Sequence, residues 1–129
     1  MTLVVKNMSF KQGQEMKLSV LPKSGNSGFA INIGHDTDNY ALHLNPRFDS
    51  GSVVCNSQSG GSWGDECHES GCPFSEGSDN KVSISFNMDA FQIRLPDGHN
   101  ITFPNRLGDV KYGHIELTGD AKLVSLKIK

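Results

Sequence analysis

Residues 43–48, His43-Leu44-Asn45-Pro46-Arg47-Phe48, are the most informative segment of the chain. Side chains on an extended chain alternate between two faces, so a strand here would separate polar from apolar residues. The polar face would carry His43, Asn45 and Arg47. The apolar face would carry Leu42, Leu44 and Phe48. We therefore predict a strand that covers a hydrophobic core with one face and presents a row of hydrogen-bonding groups on the other.

Three residues downstream of this segment are suited to binding a sugar. Asn56 supplies an amide, Trp63 a large flat ring and Glu66 a carboxylate. An aromatic ring can cover the apolar C–H patch of a sugar such as galactose, while polar side chains pair with its hydroxyl groups. The Gly/Ser-rich loop before Trp63 favours an exposed ring over a buried one. These residue types, gathered on one sheet, predict a carbohydrate-binding surface.

Length and charge limit the classes to which the protein can belong. A chain of 129 residues is long enough for one domain with a real core, which we place at residues 1–129. The formal net charge is −2 and no basic run occurs, so nucleic acid is not an expected partner. No stretch approaches the ~20 apolar residues that span a bilayer, so no membrane insertion is expected. Residues 1–6 lack the pattern of a secretory signal peptide.

Short alternating or β-branched segments recur along the chain, and none sustains a helical apolar period. Turn residues separate them, as at Pro96-Asp97-Gly98, which is a strong hairpin signal. About eleven such segments at a spacing of roughly 8–12 residues predict an all-β sandwich or barrel. Between Gly108 and Gly113 we expect a loop with short helical character.

Three motifs together resemble the carbohydrate-recognition domain of the galectins. They are His43-x-Asn45-Pro46-Arg47, Val54-x-Asn56 and Trp63-Gly64-x-Glu66. The likeness extends over nearly the whole chain. It implies a galectin/concanavalin-like fold, a jelly-roll β-sandwich of two antiparallel sheets, with a sugar groove on the concave sheet. It also implies a non-enzymatic lectin that binds β-galactosides, such as lactose or N-acetyllactosamine-type glycans, without a metal or cofactor.

The resemblance gives each motif residue a role. His43, Asn45 and Arg47 would surround the axial 4-hydroxyl of galactose, and Trp63 would stack on the sugar ring. Asn56 and Glu66 would lie near the 6-hydroxyl, with Glu66 also holding the Arg47 guanidinium. Glucose, whose 4-hydroxyl is equatorial, would leave polar groups unpaired at a cost of ~1–3 kcal/mol each.

Two features depart from the pattern of the family. Galectins commonly carry an arginine two residues after the glutamate, and this chain has His68, which is shorter and cannot form a bidentate pair. If His68 faces Glu66, we expect weaker contacts to a second sugar and tighter lactose binding near pH 6 than near pH 8. The turn at Asp49-Ser50-Gly51 is shorter than in many galectins, which leaves less loop to wall the groove.

Two other functions remain open at this point. A glycoside hydrolase needs two carboxyl groups about 5–9 Å apart across the scissile bond. Asp65 and Glu66 are adjacent and would point to opposite faces, which argues against catalysis. A galectin-like structural or interaction protein with weak or lost sugar binding would be consistent with His68 and the short turn. Retention on a lactosyl column, with elution by lactose, distinguishes a lectin from such a protein.

The three cysteines, Cys55, Cys67 and Cys72, argue against a disulfide framework because their number is odd. They fit synthesis in a reducing cytosol. We expect Cys55 to point inward with Val53, and no paired CxxC suggests a metal site. A further hypothesis is that oxidation of Cys67 or Cys72, near the site, inactivates the protein.

Resemblance to the single-domain galectins also has implications for assembly and location. It implies a homodimer formed through the terminal strands, which would crosslink β-galactoside glycans on glycoproteins or glycolipids. The apolar segments Leu3-Val4-Val5 and Leu123 to Ile128 would supply those strands. It further implies a cytoplasmic protein that reaches the extracellular space without a signal peptide.

Overall fold

The computed structural model describes residues 2–25 and 27–129, apart from the side chain of Thr2. Its strands are β1 Thr2–Val5, β2 Phe10–Lys11, β3 Glu15–Pro22, β4 Phe29–Asp36, β5 Asn39–Arg47, β6 Ser52–Ser59, β7 Ser62–Trp63, β8 Cys67–Ser70, β9 Asn80–Phe86, β10 Ala90–Arg94, β11 Asn100–Pro104, β12 Lys111–Tyr112, β13 His114–Gly119 and β14 Ala121–Ile128. None of these described residues lies in a helix, and so no helix among them could span a membrane.

The helical character expected between Gly108 and Gly113 is wrong. Residues 111–112 form β12, which pairs with β2. Backbone bonds hold both sides of this pair, from Met8 N to Gly113 O and from Gln12 N to Val110 O, each at 2.9 Å. Tyr112 is fully buried there, so packing of its ring and pairing of its backbone outweigh any local turn preference.

Two antiparallel sheets form the sandwich. The larger has the strand order β1-β13-β4-β5-β6-β7, with β8 also paired to β6. The smaller has the order β11-β10-β9-β3-β14. Buried and more exposed side chains alternate along β9 and β11, as expected when one face covers a core and the other meets solvent.

The core lies between the sheets, and β5 covers part of it as predicted. Leu42 and Leu44 are fully buried, and Phe48 packs against the core. His43, Asn45 and Arg47 are part-buried on the opposite, outer face. Their separation follows from the two-residue period of a strand, which places neighbouring side chains on opposite sides.

The outer edge of β6 is shared by two short strands. β8 pairs with residues 52–55 of β6, and β7 pairs with residues 58–59. The chain between these two short strands, residues 64–66, therefore passes beside Asn56 and Ser57. Gly64 N donates to Ser57 O at 2.9 Å, which fixes this passage to β6. The predicted site residues thus come from β5, β6 and the segment from Trp63 to His68.

Candidate functional site

The structure brings the seven predicted residues together on the outer side of the larger sheet. His43 is the direct register partner of Asn56 across β5 and β6. Val54, which faces Asn45 across the same pair, has His68 as its partner on β8. Residues opposite each other in a sheet point to the same face. The members of the group are His43, Asn45, Arg47, Asn56, Trp63, Glu66 and His68.

The His43 imidazole is held in one tautomer. Its Nδ1 lies 2.6 Å from Asn32 Oδ1, an acceptor, so Nδ1 carries the proton and Nε2 presents a lone pair. Burial, reinforced by the Arg47 charge, lowers the pKa of His43 to about 4. The ring is therefore neutral at pH 7. Nε2 is a hydrogen-bond acceptor that suits the hydroxyl proton of a ligand.

A chain of polar contacts runs outward from Asn45. Arg47 Nε donates to Asn45 Oδ1 at 2.8 Å, and Arg47 Nη2 donates to Glu66 Oε2 at 3.1 Å. His68 Nε2 lies 2.9 Å from the other oxygen, Glu66 Oε1. Hydrogen bonds from His68 and then Arg47 lower the pKa of Glu66. The carboxylate thus orients two cationic or donor groups, and the condition that His68 face Glu66 is met.

The Trp63 side chain lies at one end of the site and is exposed to solvent. Half of its surface is accessible, as the relative exposure of 50% shows. Its ring lies 4.7 Å from the His43 ring at 61° and 6.0 Å from the Tyr40 ring at 49°. An indole that is held by two neighbouring rings and keeps half of its surface open can receive an apolar patch. The prediction of an exposed ring is confirmed.

Asn56 is more deeply placed than the motif suggests. It is 4% exposed, its Nδ2 donates to Gly64 O at 3.0 Å, and its Oδ1 accepts from Ser57 N at 2.8 Å. The side chain therefore joins β6 to the passage that follows Trp63. An amide nitrogen carries two protons, and Gly64 takes only one of them.

Sequence reasoning missed Arg106, which reaches this junction from the loop after β11. Its Nη1 donates to Asn56 Oδ1 at 3.1 Å and to Ser57 Oγ at 3.2 Å. Its guanidinium carbon lies 4.8 Å from the centre of the Phe103 ring. A Cβ on Gly64 would come within 2.9 Å of Arg106 Nη1, so glycine leaves the space that the guanidinium occupies. Arg106 thus ties the second sheet to the site.

A buried polar cluster under the same face was also missed. Tyr40 OH donates to both oxygens of Glu116 at 3.0 Å, and His114 Nε2 lies 2.7 Å from Glu116 Oε2. Burial and the neighbouring Glu116 raise the pKa of Tyr40 well above its usual value. The cluster fixes the tyrosine ring that contacts Trp63. Asn32 and Glu116 are register partners, so one row joins this cluster to His43.

The geometry suits recognition of a polyhydroxylated ring. It combines an acceptor on His43, donors on Arg47, a carboxylate and an open indole. Across residues 2–25 and 27–129, no three His, Cys, Asp or Glu side chains are grouped so that they could hold a metal ion.

Residues 1–128 match the family model described as galactoside-binding lectin. Human galectin-2 is 43% identical over 127 residues, covering 98% of this chain and 96% of that protein. The beta-galactoside-binding lectin of Electrophorus electricus is 44% identical over 131 residues, covering 98% and 97%.

Solved structures give the same result. CG-16, a homodimeric agglutinin from chicken liver, has a TM-score of 0.93 at 34% identity and covers 100% of both chains. Congerin II with lactose and MES bound has a TM-score of 0.94 at 31% identity, again covering 100% of both chains. This agreement over whole chains confirms the β-sandwich fold. Taken with the family match and the geometry of the site, it shows that the chain belongs to the galactoside-binding lectin family.

Proposed function

We propose that the chain binds β-galactosides in the groove between Trp63, His43, Arg47 and Glu66. The family is one of lectins, not enzymes, and congerin II has been solved with lactose bound. The observation that carries the proposal is the exposed indole set 4.7 Å from a neutral imidazole whose Nε2 accepts hydrogen bonds. An apolar ring face and a hydroxyl of one sugar can meet these two groups at once.

The role of each group follows from its hydrogen-bonding capacity. His43 Nε2 would accept the proton of the axial 4-hydroxyl, and the Arg47 guanidinium would donate to its oxygen. Arg47 keeps donors for this purpose, because its bonds to Asn45 and Glu66 use two of five N–H groups. Asn56 and Glu66 would serve the 6-hydroxyl, and His68 would contact the second sugar. Trp63 would cover the C–H patch of the ring.

Trp63 is the only tryptophan in the chain, so its fluorescence reports on the groove directly. We expect lactose to change the emission with saturation, and cellobiose to bind at least tenfold more weakly because its terminal 4-hydroxyl is equatorial. Arg47→Lys should weaken lactose binding, since an ammonium cannot reproduce the fork of a guanidinium. Arg94→Lys, on the smaller sheet, is the matched control and should bind like the wild type.

Lactosyl-agarose gives the deciding result. We expect retention of the wild type, elution by free lactose, and no retention of Trp63→Leu. A folded wild-type protein that passes through the column would refute the proposal and favour an interaction protein without sugar binding. Equal affinity for lactose and cellobiose would refute the assignment of His43 and Arg47 to the 4-hydroxyl.

We further propose that the chain forms a homodimer that crosslinks glycans on glycoproteins or glycolipids. β1 and β14 are edge strands of the two sheets. They carry exposed apolar side chains, among them Leu3, Val4 and Val124 at 42%, 38% and 48% exposure. Open edges with apolar side chains favour pairing with a second chain.

Sedimentation velocity tests this assembly. We expect a dimer at micromolar concentration and a monomer for Val124→Asp. Met88→Asp, at a similarly exposed methionine between β9 and β10, should remain dimeric. A wild type that sediments as a monomer would refute the dimer while leaving the sugar site untouched.

We also propose that the protein is made in the cytoplasm and reaches the extracellular space without a signal peptide. Cys55, Cys67 and Cys72 are free thiols, which fits synthesis under reducing conditions. Release from cultured cells should continue when transport from the endoplasmic reticulum is blocked. Carbohydrate attached at Asn100, which starts a glycosylation sequon, would refute this route.

A further inference from the structure

Two of the cysteines lie directly opposite each other in the larger sheet. Cys55 on β6 and Cys67 on β8 are register partners in an antiparallel pair. Opposed residues in such a pair have Cα atoms about 4.5–5.5 Å apart and project to the same face. Disulfides bridge Cα atoms that are about 4.4–6.8 Å apart. The backbone therefore already has the spacing that a disulfide needs.

The two thiols differ in accessibility. Cys55 is 1% exposed and belongs to the hydrophobic core, whereas Cys67 is exposed at the edge of the sheet. Arg106 Nη2 lies 3.8 Å from Cys67 Sγ, so a positively charged guanidinium is in contact with the exposed sulfur. An oxidant in solution can reach Cys67, and the buried thiol of Cys55 lies opposite it on β6.

Cys72 is not a competing partner for Cys67. Its thiol contacts the backbone of Arg47. Arg47 pairs with Ser52, which pairs in turn with Ser70 at the far end of β8, about 10 Å along the strand from Cys67. Cα atoms more than about 7 Å apart cannot be bridged without movement of the backbone. Cys72 also packs against the core. The register therefore selects one pair out of the three cysteines.

We propose that Cys55 and Cys67 form a cross-strand disulfide in an oxidising environment, and that this link fastens β8 to β6 without changing the sheet register. The oxidant is a low-molecular-weight disulfide such as oxidised glutathione. The link would close after the protein leaves a reducing compartment. The disulfide would lie one residue from Asn56 on β6 and one residue from Glu66, which directly precedes β8.

The chemistry is a thiol–disulfide exchange in two steps. Cys67 sulfur, having lost its proton, attacks one glutathione sulfur, forms a mixed disulfide and expels the other glutathione as a thiolate. Cys55 sulfur then attacks Cys67 sulfur, its proton passing to the second glutathione as that group leaves. Two protein thiols are oxidised to one disulfide, and one glutathione disulfide is reduced to two thiols.

Burial sets the order and pace of these steps. It raises the pKa of the Cys55 thiol to about 12, with small contributions from Cys67 and Glu69. Cys55 is therefore a poor attacking group for a molecule in solution, and the first step belongs to Cys67. Closure depends on the proximity of the two sulfurs, so we expect it to take hours with millimolar oxidised glutathione at pH 8.

The spacing of Cys55 and Cys67 in the reduced sheet predicts how the disulfide would change stability and lactose binding. The link closes a loop of about a dozen residues, which should raise the melting temperature by roughly 5–10 °C. Because the register is kept, lactose affinity should stay within about twofold of the reduced form. This outcome differs from the inactivation expected from the sequence alone, and one experiment separates the two.

The full-length chain is incubated without denaturant in oxidised glutathione, its free thiols are alkylated, and it is digested for mass spectrometry. We expect a Cys55–Cys67 linked peptide from the wild type and from Cys72→Ser, which is the matched control. Cys67→Ser should show neither the link nor the rise in melting temperature. Reduction should return the oxidised wild type to its starting melting temperature.

Several results would overturn the proposal. They are a Cys67–Cys72 link, a disulfide between two chains, or glutathione that stays on Cys67 while Cys55 remains alkylatable. A Cys55–Cys67 link that abolishes lactose binding would overturn the claim that the register is kept. The peptide map does not depend on sugar binding, so failure of the reduced protein to bind lactose would count against the proposed function alone.

Discussion

Replacing Arg106 by glutamine tests whether a residue outside the groove holds the groove in shape. The change removes two hydrogen bonds to β6, to Asn56 Oδ1 at 3.1 Å and to Ser57 Oγ at 3.2 Å, and a weak contact of 3.8 Å with Cys67 Sγ. These bonds are long for a charged donor and Arg106 is itself exposed, so we assign each ~0.5–1 kcal/mol. The free energy of unfolding should fall by about 1–2 kcal/mol, which for this length lowers the melting temperature by about 4–7 °C.

The effect on sugar binding follows from the position of Asn56. Its Oδ1 keeps the bond from Ser57 N at 2.8 Å, so the amide should loosen without turning away. If about 1 kcal/mol of the loss falls on the bound state, lactose affinity decreases about fivefold. Arg106→Lys, which keeps the charge and loses the fork, should give an intermediate affinity.

Calorimetry and Trp63 fluorescence would measure lactose affinity, and thermal denaturation would measure stability. Arg94→Gln is the control, because Arg94 is an exposed arginine on the smaller sheet. It should match the wild type in both assays. The reasoning would be refuted if Arg106→Gln lost stability as expected yet bound lactose within twofold of the wild type, because Arg106 would then support the fold alone.

Three further changes probe the same surface. Gly64→Ala would bring its Cβ within 2.9 Å of Arg106 Nη1 and displace that side chain. Calorimetry should therefore show a loss of lactose affinity like that of Arg106→Gln. Combining Gly64→Ala with Arg106→Gln should cause little further loss. Burial and the Arg47 charge lower the pKa of His43 to about 4 in the folded state, against about 6.5 in the unfolded chain. The stability that comes from keeping this ring neutral is therefore complete above pH 6.5 and is lost as pH falls towards 4. Urea denaturation at pH 7.5 and 4.5 should show this loss, on the order of 2 kcal/mol, and His43→Gln should reduce it; an unchanged pH dependence in that variant would contradict the assignment. His68 Nε2 lies 2.9 Å from Glu66 Oε1 and helps to hold that carboxylate in place, so His68→Ala should weaken lactose binding when titrated calorimetrically, and an unchanged affinity would show that His68 plays no part in the site.

The face of β5 could be read from the sequence because a strand has a strict period of two. That period places His43, Asn45 and Arg47 together whatever the rest of the fold, and the structure agrees. The pairing of Arg47 with Glu66 and the exposure of Trp63 were expected from the motif resemblance and are observed. Strands of two residues, such as β2 and β12, cannot be recognised from the sequence pattern, because two residues are too few to show alternation.

Arg106 could not be found in the same way. It lies in a loop, and its partner Asn56 is 50 residues away in the chain. Their contact depends on how the second sheet packs against the first, which no local pattern encodes. Asn32 did leave a signal, since it lies between Ile31 and Ile33 and so had to face outward. Only the register of β4 against β5 shows that it meets His43.

The hydrogen bonds that fix the groove before any ligand arrives have a consequence for kinetics. His43, Arg47 and Glu66 each already hold a protein partner within 3.1 Å. Little side-chain freedom remains to be lost, and no slow rearrangement has to precede encounter. Association rates should therefore differ little among related glycans, and differences in affinity should come mainly from the rate at which each complex dissociates.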